Sequence, residues 1–281
     1  MIYSDAYKKG SDRLKEVGVS EYQLDARLLL EETCGTDYNT LLVHGDRVLS
    51  SDEEKKYNDF IEKRASRIPL AYIVGHMEFM GLDYRVNENV LVPNQDTETL
   101  AEEALREISD GMRFMDLCTG SGCVALSILH YTNDTSVVMT DISDKAIEVA
   151  GSNIEKFGMS QRAKLIKTDL FPQGDKEKFD MIVSNPPYIR TSVIETLPPE
   201  VKNGEPYIAL DGGEDGLVFY RRIIDEACNW LFDSGWLMME IGYDQGKEVS
   251  DLMKTAGYHE VEIIKDLGGN YRVVRGCLYN K

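Results

Sequence analysis

Arg113-Phe114-Met115-Asp116-Leu117-Cys118-Thr119-Gly120-Ser121-Gly122 reads as a short strand over 113–116 that runs into a glycine loop and opens a helix over 122–131. Glycines at such a turn permit positive φ and let a ligand approach the backbone, while the helix N-terminus presents free N–H groups. Alone, the loop is weak evidence, because a plain strand-to-helix turn uses the same residues. A dinucleotide fingerprint does not fit: the glycines fall at 120 and 122, and Cys118 occupies the first glycine position of Gly-x-Gly-x-x-Gly. The alternation around the loop decides the fold. Further strands are expected at 137–141, 164–168, 181–184 and 236–241, with helices at 143–157, 215–232 and 245–256. That order demands an α/β fold with a doubly wound, mostly parallel sheet. At the end, apolar runs at 261–264 and 271–277 flank Gly268-Gly269-Asn270, the pattern of an antiparallel hairpin.

Upstream, the character of the chain changes twice. Residues 1–72 read as a small helical bundle. An opening helix passes through Ala6, Tyr7, Leu14 and Val17, and capping boxes are expected at Ser20-Glu21-Tyr22-Gln23 and Ser51-Asp52-Glu53-Glu54. The second helix carries Leu24, Leu28 and Leu29, and the third Tyr57, Phe60 and Ile61. Residues 73–95 read as a hairpin linker: Phe79 to Val86 alternates around Gly81, and Val90-Leu91-Val92 leads to Pro93. Residues 96–281 form the main domain, with Asp96 or Thr97 expected to cap its first helix.

Four features follow one another at the carboxyl ends of successive strands, the edge where open α/β sheets bind ligands. The glycine loop is the first. Asp141, after the second strand, can accept from two ribose hydroxyls or cap the next helix; Asp169, after the third, can reach an adenine amino group or simply end a strand. The fourth is Asn185-Pro186-Pro187-Tyr188, which follows the apolar run 179–184. A conjugated NH2 group has two in-plane donors, and the Asn185 side-chain oxygen and the Pro186 carbonyl can accept them. Neither proline brings a competing N–H, both have fixed φ, and Tyr188 offers a flat face for stacking.

Composition narrows the classes. Forty-nine acidic residues against 31 basic ones give a formal charge of −18 over 281 residues, which disfavours a surface built on phosphate neutralisation. The start lacks the apolar core of a signal peptide, and no run is long enough to span a bilayer, so a cytoplasmic protein is expected. Five scattered cysteines and four distant histidines suggest neither a disulfide framework nor a metal site.

The glycine loop, Asp141, Asp169-Leu170-Phe171 and Asn185-Pro186-Pro187-Tyr188 resemble those of class I S-adenosylmethionine-dependent methyltransferases. The longer pattern is similar to the protein-(glutamine-N5) methyltransferases that modify the Gly-Gly-Gln loop of peptide chain release factors. Supporting stretches are 67–75, Val90 to Pro93, Asp96-Thr97-Glu98, Glu205-Pro206 and 211–217. Two departures are visible: Asn94-Gln95 stands where that family usually has Arg-Pro, and Cys118 where glycine is common. In some members an aromatic residue packs on the adenine where Leu170 sits. The resemblance implies a Rossmann-like methyltransferase sheet and a helical domain, 1–72, that docks the protein substrate. It also implies S-adenosylmethionine held by Cys118, Thr119, Gly120, Ser121, Gly122, Asp141, Asp169, Leu170 and Asn185. Asn185, Pro186, Pro187 and Tyr188 would bind the substrate amide, with Asn185, Pro186 and Tyr188 at the reacting centre.

The reaction implied is in-line attack of a glutamine amide nitrogen on the sulfonium methyl, with Asn185 orienting and polarising rather than abstracting a proton. Methylation of adenine N6 or guanine N2 is the alternative, since those amino groups suit the same tetrapeptide; the acidic balance and the lack of a basic recognition domain weigh against it. A non-catalytic binding module would not need an intact amino-group site.

Overall fold

The computed structural model describes residues 1–174 and 176–279. They form two compact units, one of Met1–Gly75 with Pro198–Gly204, the other of His76–Leu197 with the chain from Glu205 onward.

The first unit consists of helices α1 (Tyr3–Glu16), α2 (Tyr22–Cys34), α3 (Tyr38–Val43), α4 (Ser51–Ala65) and α5 (Leu70–Val74). Tyr3, Ala6, Leu14, Ala26, Leu29, Leu30, Tyr57 and Ile61 bury their side chains against one another. Leu24 is largely exposed, because the buried stripe of α2 runs through Ala26, Leu29 and Leu30. Two caps differ from the sequence reading. The box of α4 is built on Ser50, one residue earlier than expected: Glu53 N donates to Ser50 Oγ (3.2 Å), and Ser50 N donates to Glu53 Oε2 (2.7 Å). Helix α2 starts after Glu21 with no side-chain cap, so Ser20 does not play that part. Inside this unit Arg64 Nε donates to Asp25 Oδ2 at 2.7 Å, both side chains being buried. Burial holds the Asp25 carboxyl above its ordinary range in spite of that guanidinium.

The second unit opens with the hairpin β1 (His76–Phe79) and β2 (Leu82–Arg85). Met80 and Gly81 both have positive φ, as a two-residue turn of this hand requires. Phe79 and Tyr84 enter the unit's core, so the stretch read from the sequence as a linker supplies packing here. Helix α6 (Gln95–Glu107) follows; its cap is Asn94, whose Oδ1 accepts from Thr97 N at 3.0 Å, instead of Asp96 or Thr97. Then come β3 (Arg113–Leu117), α7 (Cys123–His130), β4 (Ser136–Asp141), α8 (Asp144–Lys156), β5 (Ala163–Lys167) and β6 (Phe179–Ser184). Short helices α9 (Thr191–Ile194), α10 (Pro199–Gly204, in the first unit) and α11 (Tyr207–Leu210) lead to α12 (Val218–Ala227), β7 (Leu231–Glu240), α13 (Gly246–Thr255), β8 (Tyr258–Lys265) and β9 (Tyr271–Leu278).

The described sheet has the order β5-β4-β3-β6-β7-β9-β8. The strands from β5 to β7 are parallel, and β9 inserts antiparallel between β7 and β8. Residues alternate between two cores, as the strand period requires. Phe114, Val137, Met139, Met181, Val183 and Met238 pack towards α6 and α7. Met115, Val138, Ile182, Leu237 and Met239 pack towards α12 and α13. The helix expected over 215–232 is shorter and β7 starts five residues before position 236. Pairing with β6 jumps from Phe179↔Leu231 to Met181↔Trp236, so the turn-like Phe232-Asp233-Ser234-Gly235 is an irregularity carried inside the strand. Among the described residues no helix is long and apolar enough to cross a membrane.

Replacing Arg64 by Met leaves the Asp25 carboxylate buried without its partner, and urea unfolding should show a loss of about 3–5 kcal/mol. Combining it with Asp25→Leu should recover most of that loss.

Candidate active site

The order of the sheet reverses between β3 and β6, and the features at the carboxyl ends of β3, β4 and β6 converge there. In the loop after β3, Cys118, Gly120 and Gly122 all have left-handed φ, between 55° and 82°. Gly122 caps α7, and a Cβ at that position would lie 2.7 Å from Met139 Cε. Thr119 Oγ1 donates to Asp116 Oδ2 below the loop. Asp116 is buried, and desolvation pushes its carboxyl up to about 7 although the Thr119 hydroxyl favours the charged form.

Asp141 binds the loop from the next strand. Its Oδ2 accepts from Gly120 N and its Oδ1 from Ser143 N, each at 3.0 Å. The cap of α8 is Ser143, whose Oγ accepts from Ala146 N, so Asp141 does not cap that helix. Burial raises the Asp141 carboxyl against the pull of those backbone donors. Each of its oxygens has a further lone pair to offer.

Cys118, Thr119, Gly120, Ser121, Asp141, Asp169, Leu170, Asn185 and Pro187 line one cavity of about 220 Å³. Asp169 lies at its rim, accepting from Arg222 Nη2 at 2.8 Å. Leu170, with φ of 64°, is buried in the wall. Gly122, Pro186 and Tyr188 do not line it. Tyr188 donates through its hydroxyl to Glu240 Oε1 (3.1 Å), and its ring packs on the core on the α12 and α13 side. The flat face expected of Tyr188 is therefore turned into the protein. Asn185 donates from Nδ2 to Thr97 Oγ1 at 3.2 Å.

Several residues of this region were given no site role by the sequence reading. Val90 to Pro93, Thr97, Ile208, Phe219 and Arg222 also line the cavity. Gln245, 2% exposed, donates from Nε2 to Tyr188 O (2.9 Å) and Gly216 O (3.2 Å), while its Oε1 accepts from Gly242 N (2.9 Å). A Cβ on Gly216 would stand 2.5 Å from Tyr188 O, which demands glycine in that segment. Two signals were available: the apolar run Val90-Leu91-Val92 stopped by Pro93, which needs an apolar neighbour, and the likeness of Val90 to Pro93 and Asp96-Thr97-Glu98 to the resembling family. Glu240, fully buried at the end of β7, carried no signal of its own. Desolvation pushes its carboxyl up to about 7, opposed by Thr97, Arg272 and Tyr188. Among the described residues no cluster of metal-ligating side chains is present.

Two protein families match the chain: the PrmC N-terminal domain over residues 5–75 and the Methyltransferase small domain over residues 94–197. A release factor glutamine methyltransferase of Clostridium botulinum is 41% identical over 283 residues, which covers 99% of this chain and 100% of that protein. One from Caulobacter vibrioides is 39% identical over 273 residues, covering 96% and 94% respectively. Among solved structures, a methyltransferase from Pyrococcus furiosus aligns with a TM-score of 0.56 at 19% identity, over 78% of this chain and 100% of that one; this likeness concerns the fold alone.

Because the folded state raises the Glu240 carboxyl from the ordinary 4.5 to about 7, it binds a proton more tightly than the unfolded chain does. That contribution to stability is complete below pH 4.5 and disappears as pH rises to 7. Glu240→Gln cannot ionise. Its stability relative to the parent should improve by about 3 kcal/mol between pH 4 and pH 8, measured by urea unfolding at each pH. A difference independent of pH would mean that folding does not raise the Glu240 carboxyl.

Proposed function

The chain belongs to the release factor glutamine methyltransferase family, and from that premise we propose that it methylates the N5 side-chain amide of the glutamine in the Gly-Gly-Gln loop of peptide chain release factors. The methyl donor is S-adenosylmethionine. The observation that carries the reading is the cavity at the switch point, which joins the glycine loop, Asp141 and Asn185 in one space.

The cavity's donor set fits the cofactor. Asp141 is held by two backbone N–H groups and retains lone pairs for ribose hydroxyls. Leu170 and Phe219 give apolar walls for a base, and Phe219 is an aromatic residue drawn from α12 where position 170 is aliphatic. Left-handed backbone at Cys118 and Gly120 lets a ligand approach the loop closely. When bound, S-adenosylmethionine supplies an electrophilic methyl group on a sulfonium.

Asn185 Oδ1 accepts one N–H of the substrate amide and the Pro186 carbonyl accepts the other. Amide nitrogen is a poor nucleophile because its lone pair is delocalised; these two acceptors return electron density to it and fix its direction. No strong base is needed: with the N–CH3 bond formed and the S–CH3 bond broken, S-adenosylhomocysteine would be the leaving group, and the amide proton, acidic once the new bond forms, would be lost to solvent. The helical unit, which matches the family's N-terminal domain, is the part that docks the release factor.

Labelled cofactor should mark an intact release factor, and should mark neither its Gln→Ala loop variant nor RNA; label in RNA alone would establish the base-methylating alternative. Asn185→Ala should lower kcat by about 10²–10³-fold, as for loss of one preorganised polar group at a reacting centre. Asn185→Asp keeps an acceptor and should stay clearly more active than Asn185→Ala. Calorimetry on Asp141→Ala should show cofactor binding weaker by about 1–3 kcal/mol.

A further inference from the structure

Asparagine can present either its oxygen or its NH2 group to a ligand, and the two ends are nearly equal in size. The mechanism above, on which this inference rests, needs the oxygen. We propose that Asn94 and Thr97 are positioning residues that force the Asn185 amide into the orientation with its oxygen towards the cavity.

One donor beside Asn185 has an unambiguous direction. Thr97 N, in the first turn of α6, points its hydrogen at the Asn94 side chain at 3.0 Å. A backbone N–H can only donate, so the Asn94 atom facing it is Oδ1. The Thr97 hydroxyl stands 3.3 Å from that same Oδ1, which cannot donate in return. The hydroxyl therefore gives its one proton to Asn94 Oδ1. What Oγ1 has left is a lone pair, and the Asn185 amide 3.2 Å away must meet it with N–H. Nδ2 is thereby tied inward, and Oδ1 is the end left for the cavity that Asn185 lines.

Burial makes the direction firm. Thr97 is 3% exposed, so water cannot readily supply a substitute partner. Asn94 does two tasks at once: it caps α6 and sets the polarity of the relay. This chain has Asn at the position where the resembling family usually has Arg, and the relay gives that residue a use.

Thr97→Val keeps the shape and removes the hydroxyl; Thr97→Ser keeps the hydroxyl and removes the methyl group. With a release factor as substrate, Thr97→Val should lower kcat by about 10²-fold, the cost of a misplaced reacting group. Thr97→Ser should restore activity to within about threefold of the parent, because the hydroxyl is present and only one methyl's packing is lost. A second readout does not depend on turnover: hydrogen exchange of the Asn185 side-chain NH2, identified in 15N spectra by its loss in Asn185→Ala. In Thr97→Val it should exchange about tenfold faster, as expected for one lost hydrogen bond. Unchanged exchange in Thr97→Val overturns the proposal whatever the rate does, and a Thr97→Ser enzyme as slow as Thr97→Val overturns it by showing that packing mattered and not the hydroxyl. A parent enzyme that leaves the release factor unmethylated, yet shows the exchange difference, removes the proposed substrate and supports the orientation.

Discussion

Parallel pairing of β3 with β6, in the register Leu117↔Ser184, is the constraint from which the site follows. It sets residues 118 and 185 side by side at one edge of the sheet, although 67 positions separate them in the chain. Ser184 Oγ reinforces the register by donating to Leu117 O at 2.8 Å. A slip of one residue would exchange the two faces of β6, sending Met181 and Val183 into the wrong core, so the hydrophobic alternation protects the register and the register protects the site. Asp141 enters by the same logic, because β4 pairs with β3 on its other side.

Behind this edge lies more buried polarity than a stable core needs. Asp116, Glu240 and Gln245 are each at most 2% exposed, and Thr97 is nearly so. Burying such groups costs free energy unless hydrogen bonds replace water. Each has at least one partner here, and the partners are pieces of the site: Thr119 of the glycine loop for Asp116, Tyr188 for Glu240 Oε1, and the Tyr188 and Gly216 carbonyls for Gln245, while Glu240 Oε2 is buried without a hydrogen bond. Buried networks of this kind hold their members in one arrangement. Tyr188 thus acts as a peg that locks the Asn185-Pro186-Pro187 segment from beneath. The proposed role of Asn185 and Pro186, as fixed acceptors for a weakly nucleophilic amide, would draw on that rigidity.

The strand and helix alternation from 113 to 277 was legible because period two and period 3.6 leave different traces in apolar residues. Caps were less legible. Ser50 and Ser51 both stand near Glu53, and only the backbone path shows which serine has extended φ and ψ. Asn94 lost to Asp96 and Thr97 for the same reason: any of the three can cap, and the choice depends on where α6 starts. The first residues of β7 look like a turn because a strand irregularity and a turn use the same small polar residues.

Sequence by itself determined the sheet, the glycine loop, Asp141, Asp169 and the Asn185 tetrapeptide, since each is a local pattern tied to the end of a strand. Tertiary structure alone decided that Tyr188 faces the core and not the cavity, because a side chain's direction depends on a partner, Glu240, that lies 52 positions away and pairs through a different strand. It also placed Thr97 beside Asn185, Phe219 in the cavity wall and Gln245 beneath Tyr188. Those contacts depend on what folding brings together, and a hydrogen bond between distant segments has no period for a sequence to display.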